Sequence, residues 1–93
     1  MRPAEKVKAT IAASGITHEE FCELCGISRT LLYSYFKPQT HMDDFTKGVK
    51  CIAVSKKLWA LCEAGRLPFK GEVQDRIRVL REMLKSDTVE LQP

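Results

Sequence analysis

No apolar run in this 93-residue chain approaches the roughly 20 residues of a membrane span. The N-terminal stretch MRPAEKVKAT lacks the apolar segment of a secretory signal. Both absences lead to an expected cytoplasmic location and no membrane partner. There is no internal repeat and no low-complexity segment. A glycine-rich phosphate loop, a nucleophile–base pair and a carboxylate pair are all missing, so no enzyme activity and no cofactor are expected. Charge of one sign is scarce too, with a formal net charge of only +3. That charge is uneven: residues 1–37 carry net +1, residues 38–71 net +3 and residues 72–93 net −1. So mild an excess permits nucleic-acid binding and argues against coating DNA by bulk charge. What remains is a composition of 44% hydrophobic and 29% charged residues, ordinary for one small globular domain. A core of this size is modest, and a dimer interface would add to its stability.

The chain is organised around Thr17 to Lys37, THEEFCELCGISRTLLYSYFK. Thr17 with Glu20 three residues on has the form of a capping box at a helix start. Phe21, Leu24 and Cys25 follow at helical spacing. Gly26 is the residue best able to take the left-handed conformation that ends a helix. Ile27 fills the gap between helices, and Ser28 can cap a second one, on which Leu31, Leu32, Tyr35 and Phe36 recur on one side. Pro38 denies Lys37 the helical conformation and ends it. Helix, glycine turn and capped helix is the pattern of a helix-turn-helix.

Over about twenty residues this stretch resembles the lambda-repressor-like (Cro/CI-type) DNA-binding domains of phages and bacteria. Cys22 stands where that motif takes a small residue, and Gly26 where it takes glycine. Phe21, Cys25, Ile27, Leu32 and Tyr35 stand where it takes apolar residues. The first motif position, often glutamine, is His18 here. The resemblance implies an all-α fold, a small bundle of about five helices plus a C-terminal one, with the motif as helices two and three. It implies a phage or prophage regulator that binds double-stranded operator DNA as a homodimer. Carried over position by position, base readout falls to Ser28, Arg29, Thr30, Tyr33 and Ser34. Arg29 is the leading specificity residue, because a guanidinium bonds guanine O6 and N7 together. Phosphate contacts fall to Thr17 and His18 at a helix N-terminus, and to Lys37 and Thr40 in the loop after the second motif helix.

Residues 4–14 read as a first helix with Ala4, Val7, Ile11 and Ala12 inward and Lys6 and Lys8 facing water. Residues 38–41 read as a loop. Two helices are expected over 42–53 and 55–64, with one bent helix as the alternative and Ser55 as the cap between them. Phe45, Val49 and Ile52 form the expected core face; Cys51, Val54, Leu58, Leu61 and Cys62 form a second one. Trp59 is expected to close the core. Lys47, Lys50, Lys56 and Lys57 are the densest basic group, either solvated or a phosphate clamp. Residues 1–70 would make up the DNA-binding domain. Residues 71–85 would form a C-terminal helix, starting after Gly71 at residue 72, whose stripe of Val73, Ile77, Leu80 and Leu84 either pairs two copies or closes the monomer's own core. Residues 86–93 read as a mobile tail.

Cys22 and Cys25 have the C-x-x-C spacing, and His18 lies one turn before them. Zinc would require further ligands, and Cys51 with Cys62 lacks the paired spacing, so core packing is the expectation for the cysteines and no metal site is expected. A second functional class keeps the same fold but uses it to bind and sequester another regulatory protein.

Overall fold

The computed structural model describes the backbone of residues 2–90 and the side chains of residues 2–85. Among these residues there are five α-helices, one 3-10 turn and no strand. The helices are α1 (Pro3–Ser14), α2 (His18–Cys25), α3 (Arg29–Phe36), α4 (Thr46–Glu63) and α5 (Arg76–Glu90), with the 3-10 turn at Met42–Asp44.

Pro3 opens α1, where a missing N–H costs nothing. Ala4, Val7 and Ile11 are buried as expected, but Ala12 is exposed. Thr10 and Ser14 take the inward positions instead. Their hydroxyls donate to the carbonyls of Lys6 at 2.8 Å and Thr10 at 2.7 Å, which lets two polar side chains sit inside. The Thr17–Glu20 capping box is present in full, with both reciprocal bonds formed. Gly26 adopts φ 72° and donates to the Cys22 carbonyl at 2.8 Å, so the chain turns where only glycine turns without strain. Ser28 Oγ accepts from Leu31 N at 3.1 Å and starts α3. Lys37 is extended ahead of Pro38, which stops it.

The expected pair of helices over 42–53 and 55–64 is corrected to a 3-10 turn followed by one continuous helix. Ser55 caps nothing; its hydroxyl donates to the Ile52 carbonyl inside α4. The first of the two expected faces is also corrected, whereas Cys51, Leu58 and Leu61 of the second are buried as expected. Phe45 and Val49 are 49% and 50% exposed, and Trp59, expected in the core, is 45% exposed. The buried side is Gly48, Cys51, Ser55, Leu58 and Leu61. Backbone proximity explains the rotation. A Cβ at Gly48 would overlap the carbonyl oxygen of Met42, so the 3-10 turn lies directly on the helix there and only glycine fits. Met42 itself is buried. Gly48, the smallest residue of α4's inner face, marks where the neighbouring backbone presses closest.

Helix α5 starts four residues later than the expected 72, after Asp75 at φ 53°, a left-handed conformation that aspartate tolerates. It runs through Glu90, because no glycine or proline interrupts residues 86–90. The tail expected from residue 86 is thus helical for five residues, and residues 91–93 lie outside the described ones. Leu80 and Met83 are buried and Leu84 packs against the same core, so α5 joins the bundle formed by α2 and α4.

Arg76, the first residue of α5, holds this helix to the start of α2. Its Nε donates to Glu20 Oε2 at 2.7 Å, and its Nη2 donates to Glu20 Oε1 and the Gly15 carbonyl, each at 3.2 Å. Its guanidinium carbon lies 5.2 Å from the centroid of the Phe69 ring. The Arg76 bond holds the Glu20 carboxyl below its ordinary value of 4.5. A carboxylate whose folded-state pKa is depressed contributes stability above its unfolded value, and that contribution is lost as pH falls through the folded value. Melting temperature should therefore drop as pH falls below about 4.5, and Glu20→Gln should lose the part of that acid dependence due to this pair. Thermal melts of both proteins between pH 6 and pH 3, read as roughly equal slopes, would assign the acid response to other carboxylates.

Candidate nucleic-acid interface

Helix α3 is two-sided. Leu32 and Tyr35 are buried, while Arg29, Thr30 and Tyr33 are exposed on the opposite side. The caps at Thr17 and Ser28 and the turn at Gly26 fix how α3 follows α2. Of the five residues expected to read bases, Ser28, Arg29, Thr30 and Tyr33 are exposed, the last three on one side of α3. The Arg29 side chain makes no hydrogen bond or ion pair to another described residue. Ser28 spends its side-chain oxygen on the Leu31 N–H but keeps its own proton to donate. Ser34 is half-buried and its hydroxyl donates to the Leu31 carbonyl at 2.6 Å, leaving its oxygen only as an acceptor.

His18 is not an isolated end-of-helix residue. Its Nδ1 lies 3.3 Å from the Tyr33 hydroxyl, and its ring meets Tyr33 and Phe36 edge-on at centroid distances of 5.6 and 6.1 Å. Lys8, expected to face water alone, places Nζ 5.1 Å from the Phe36 ring centre. The result is an aromatic strip with a cation at one end, beside the outer face of α3. Flat rings and a cation suit sugar and phosphate alike. Sequence spacing does not reveal this strip, because its members come from three separate helices.

The loop after α3 is held by Arg2, whose Nη2 donates to the carbonyls of Lys37 and Thr40, both at 3.2 Å. Lys37 is exposed and Thr40 half-buried in that loop. Arg2 carries no sequence signal for this role, since its partners lie 35 and 38 residues away. At the other motif end, Thr17 donates its N–H to Glu20 at 2.9 Å, so that donor is taken, and Glu19 and Glu20 put two carboxylates in the first turn of α2. The basic group of α4 divides. Lys50 Nζ lies 3.9 Å from where a Cβ on Gly26 would stand, next to the motif turn. Lys56 faces α1 instead.

Cys22, Cys25 and Cys51 are buried together under the motif. Burial pushes the Cys22 thiol up, and a hydrogen bond to Cys51 together with burial pushes Cys25 up further, so both stay protonated packing groups. Among the described residues no three His, Cys, Asp or Glu side chains are arranged to hold a metal ion.

The stripe expected to pair two copies is divided by the fold. Val73 precedes α5, Ile77 and Leu84 are half-buried, and Leu80 is 0% exposed inside the monomer's own core. The alternative use of the stripe, closing the core, is what Leu80 does. Among the described residues no helix is long and apolar enough to cross a membrane. No family model, curated protein or solved structure matches the chain.

Proposed function

We propose that this chain is a sequence-specific DNA-binding transcription regulator, with α3 entering the major groove. The observation that carries the proposal is the two-sidedness of α3: Leu32 and Tyr35 anchor it, while Arg29, Thr30 and Tyr33 stand out from the surface beside His18, Phe36 and Lys8. A capped helix after a tight turn, with its first residues polar and outward, is what base readout requires. The resemblance of Thr17–Lys37 to lambda-repressor-like domains supports a repressor of phage or prophage type. Lys37, Lys50 and Lys8 supply positive charge around α3 for phosphates. Pairing of two copies is part of the proposal, because one short motif contacts only one half-site and half-sites lie about 34 Å apart. With Leu80 committed to the monomer's core, the C-terminal helix offers a partner only its outer surface.

Arg29→Ala is expected to cost about 1–3 kcal/mol at the selected site and to relax preference at one base pair. Lys37→Ala should weaken all sequences alike and lower the salt slope by about one. Selection from a random DNA library, followed by titrations at several salt concentrations, measures both. An Arg29→Ala protein with full affinity and unchanged preference would sink the readout.

A further inference from the structure

We infer that the groove between α1 and α4 is a docking site for an acidic amphipathic helix of a partner protein. This goes beyond DNA binding and shares no residue with the proposed reading surface. The groove encloses about 600 Å³ between Pro3, Lys6, Ala9 and Thr10 on one wall and Ile52, Ser55, Lys56 and Trp59 on the other. Its two lining hydroxyls are turned away from an occupant: Thr10 donates to the Lys6 carbonyl and Ser55 to the Ile52 carbonyl. The floor is therefore apolar in effect.

Length and charge choose the occupant. Ile52, Lys56 and Trp59 of the groove wall, with Val49 one turn before them and outside the lining, recur at i, i+3, i+7 and i+10 as one stripe of α4 about 15 Å long. Val49 and Trp59, at its two ends, are among the few large apolar side chains the surface exposes. A stripe of that length matches the i, i+3/i+4, i+7 anchors of a helix laid in a groove rather than a compact small molecule. Lys6 and Lys56 rim the groove and no carboxylate lines it. Within α4 there are four lysines and one acid, Glu63, a turn beyond Trp59. A second copy seated by this same face would bring both pairs of lysines together, and like charges at an interface are penalised. An occupant with carboxylates flanking an apolar stripe meets both features.

Trp59 is the chain's single tryptophan and reports directly on the groove. The probe is a capped 16-residue helical peptide, free of tryptophan, with leucine at i, i+3, i+7 and i+10 and glutamate flanking that stripe. Its control has lysine at every glutamate. The glutamate peptide is expected to shift Trp59 emission to the blue in a saturable way, and the lysine peptide to bind roughly tenfold more weakly or not at all. Lys6→Glu with Lys56→Glu should reverse the preference; both side chains are exposed, and circular dichroism confirms that the variant is folded. The peptide pair tests the parent protein even if the variant fails to fold. Absence of a saturable shift with the glutamate peptide, or equal binding of both peptides, overturns the inference. So does a saturable shift with decanoate where neither peptide binds, or a parent dimer that Trp59→Ala turns into a monomer. DNA affinity, measured separately, does not bear on any of these outcomes.

Discussion

Leu80→Asp is expected to unfold the protein rather than release a folded monomer. Leu80 is 0% exposed and shares the core with Phe21, Leu58 and Leu61. Removing a buried leucine side chain costs about 2–5 kcal/mol on its own. A carboxylate in its place must also give up water or take up a proton, which adds to the cost. Against a total stability of roughly 5–15 kcal/mol for a small domain, little or nothing is left. Circular dichroism should show loss of most helix at room temperature. Ile77→Asp, at a half-buried position, should keep its helices and melt only modestly lower. The opposite result, a Leu80→Asp protein with full helix content that sediments at half the parent's mass, would return the C-terminal stripe to the role of a dimer seam.

Gly48→Ala is the second large effect expected, and from the smallest change of side chain. The added methyl would coincide with the Met42 carbonyl oxygen, a backbone atom that cannot rotate aside. Relief requires moving the 3-10 turn off α4, and with it the buried Met42 side chain. Overpacking of this kind costs about 3 kcal/mol. For a domain of this length that is a fall in melting temperature of roughly 10–20 °C. Alanine is otherwise the better helix former, so a neutral or raised melting temperature would mean that the turn does not lie on α4 where the structure has it.

What was legible in the chain was what acts over three or four residues. Thr17 with Glu20, Gly26, Ser28 and Pro38 each announce a helix end through a local bond or a backbone restriction, and each is found in that role. The inward face of α1 was half legible: Val7 and Ile11 follow from apolar spacing, whereas Thr10 and Ser14 gain entry only by bonding their own helix. The orientation of α4 was legible from Cys51 onward, where Cys51, Leu58 and Leu61 of the expected second face are buried, and not in its first turns. Apolar spacing favours Phe45, Val49 and Ile52 there, yet Gly48 faces inward, because the Met42 carbonyl lies against it and leaves no room for a side chain. The same holds for the candidate interface. Arg29, Thr30 and Tyr33 follow from their place after the cap. The approach of His18 to Tyr33, of Lys8 to Phe36 and of Arg2 to the loop at 37–40 depends on tertiary packing that no local pattern encodes.

The Glu20 carboxylate does two tasks at once. It closes the cap on α2 through the Thr17 N–H and receives the Arg76 guanidinium that begins α5. Residues bound to one shared group do not contribute independent increments of stability. Without Glu20, Arg76 keeps only the Gly15 carbonyl and the Phe69 ring, and Thr17 loses half of its reciprocal cap. Without Arg76, the carboxylate that completes the cap is freer to turn to water. Thr17, Glu20 and Arg76 thus form one coupled unit, so the cost of exchanging Glu20 is felt at both the start of α2 and the start of α5, 56 residues away.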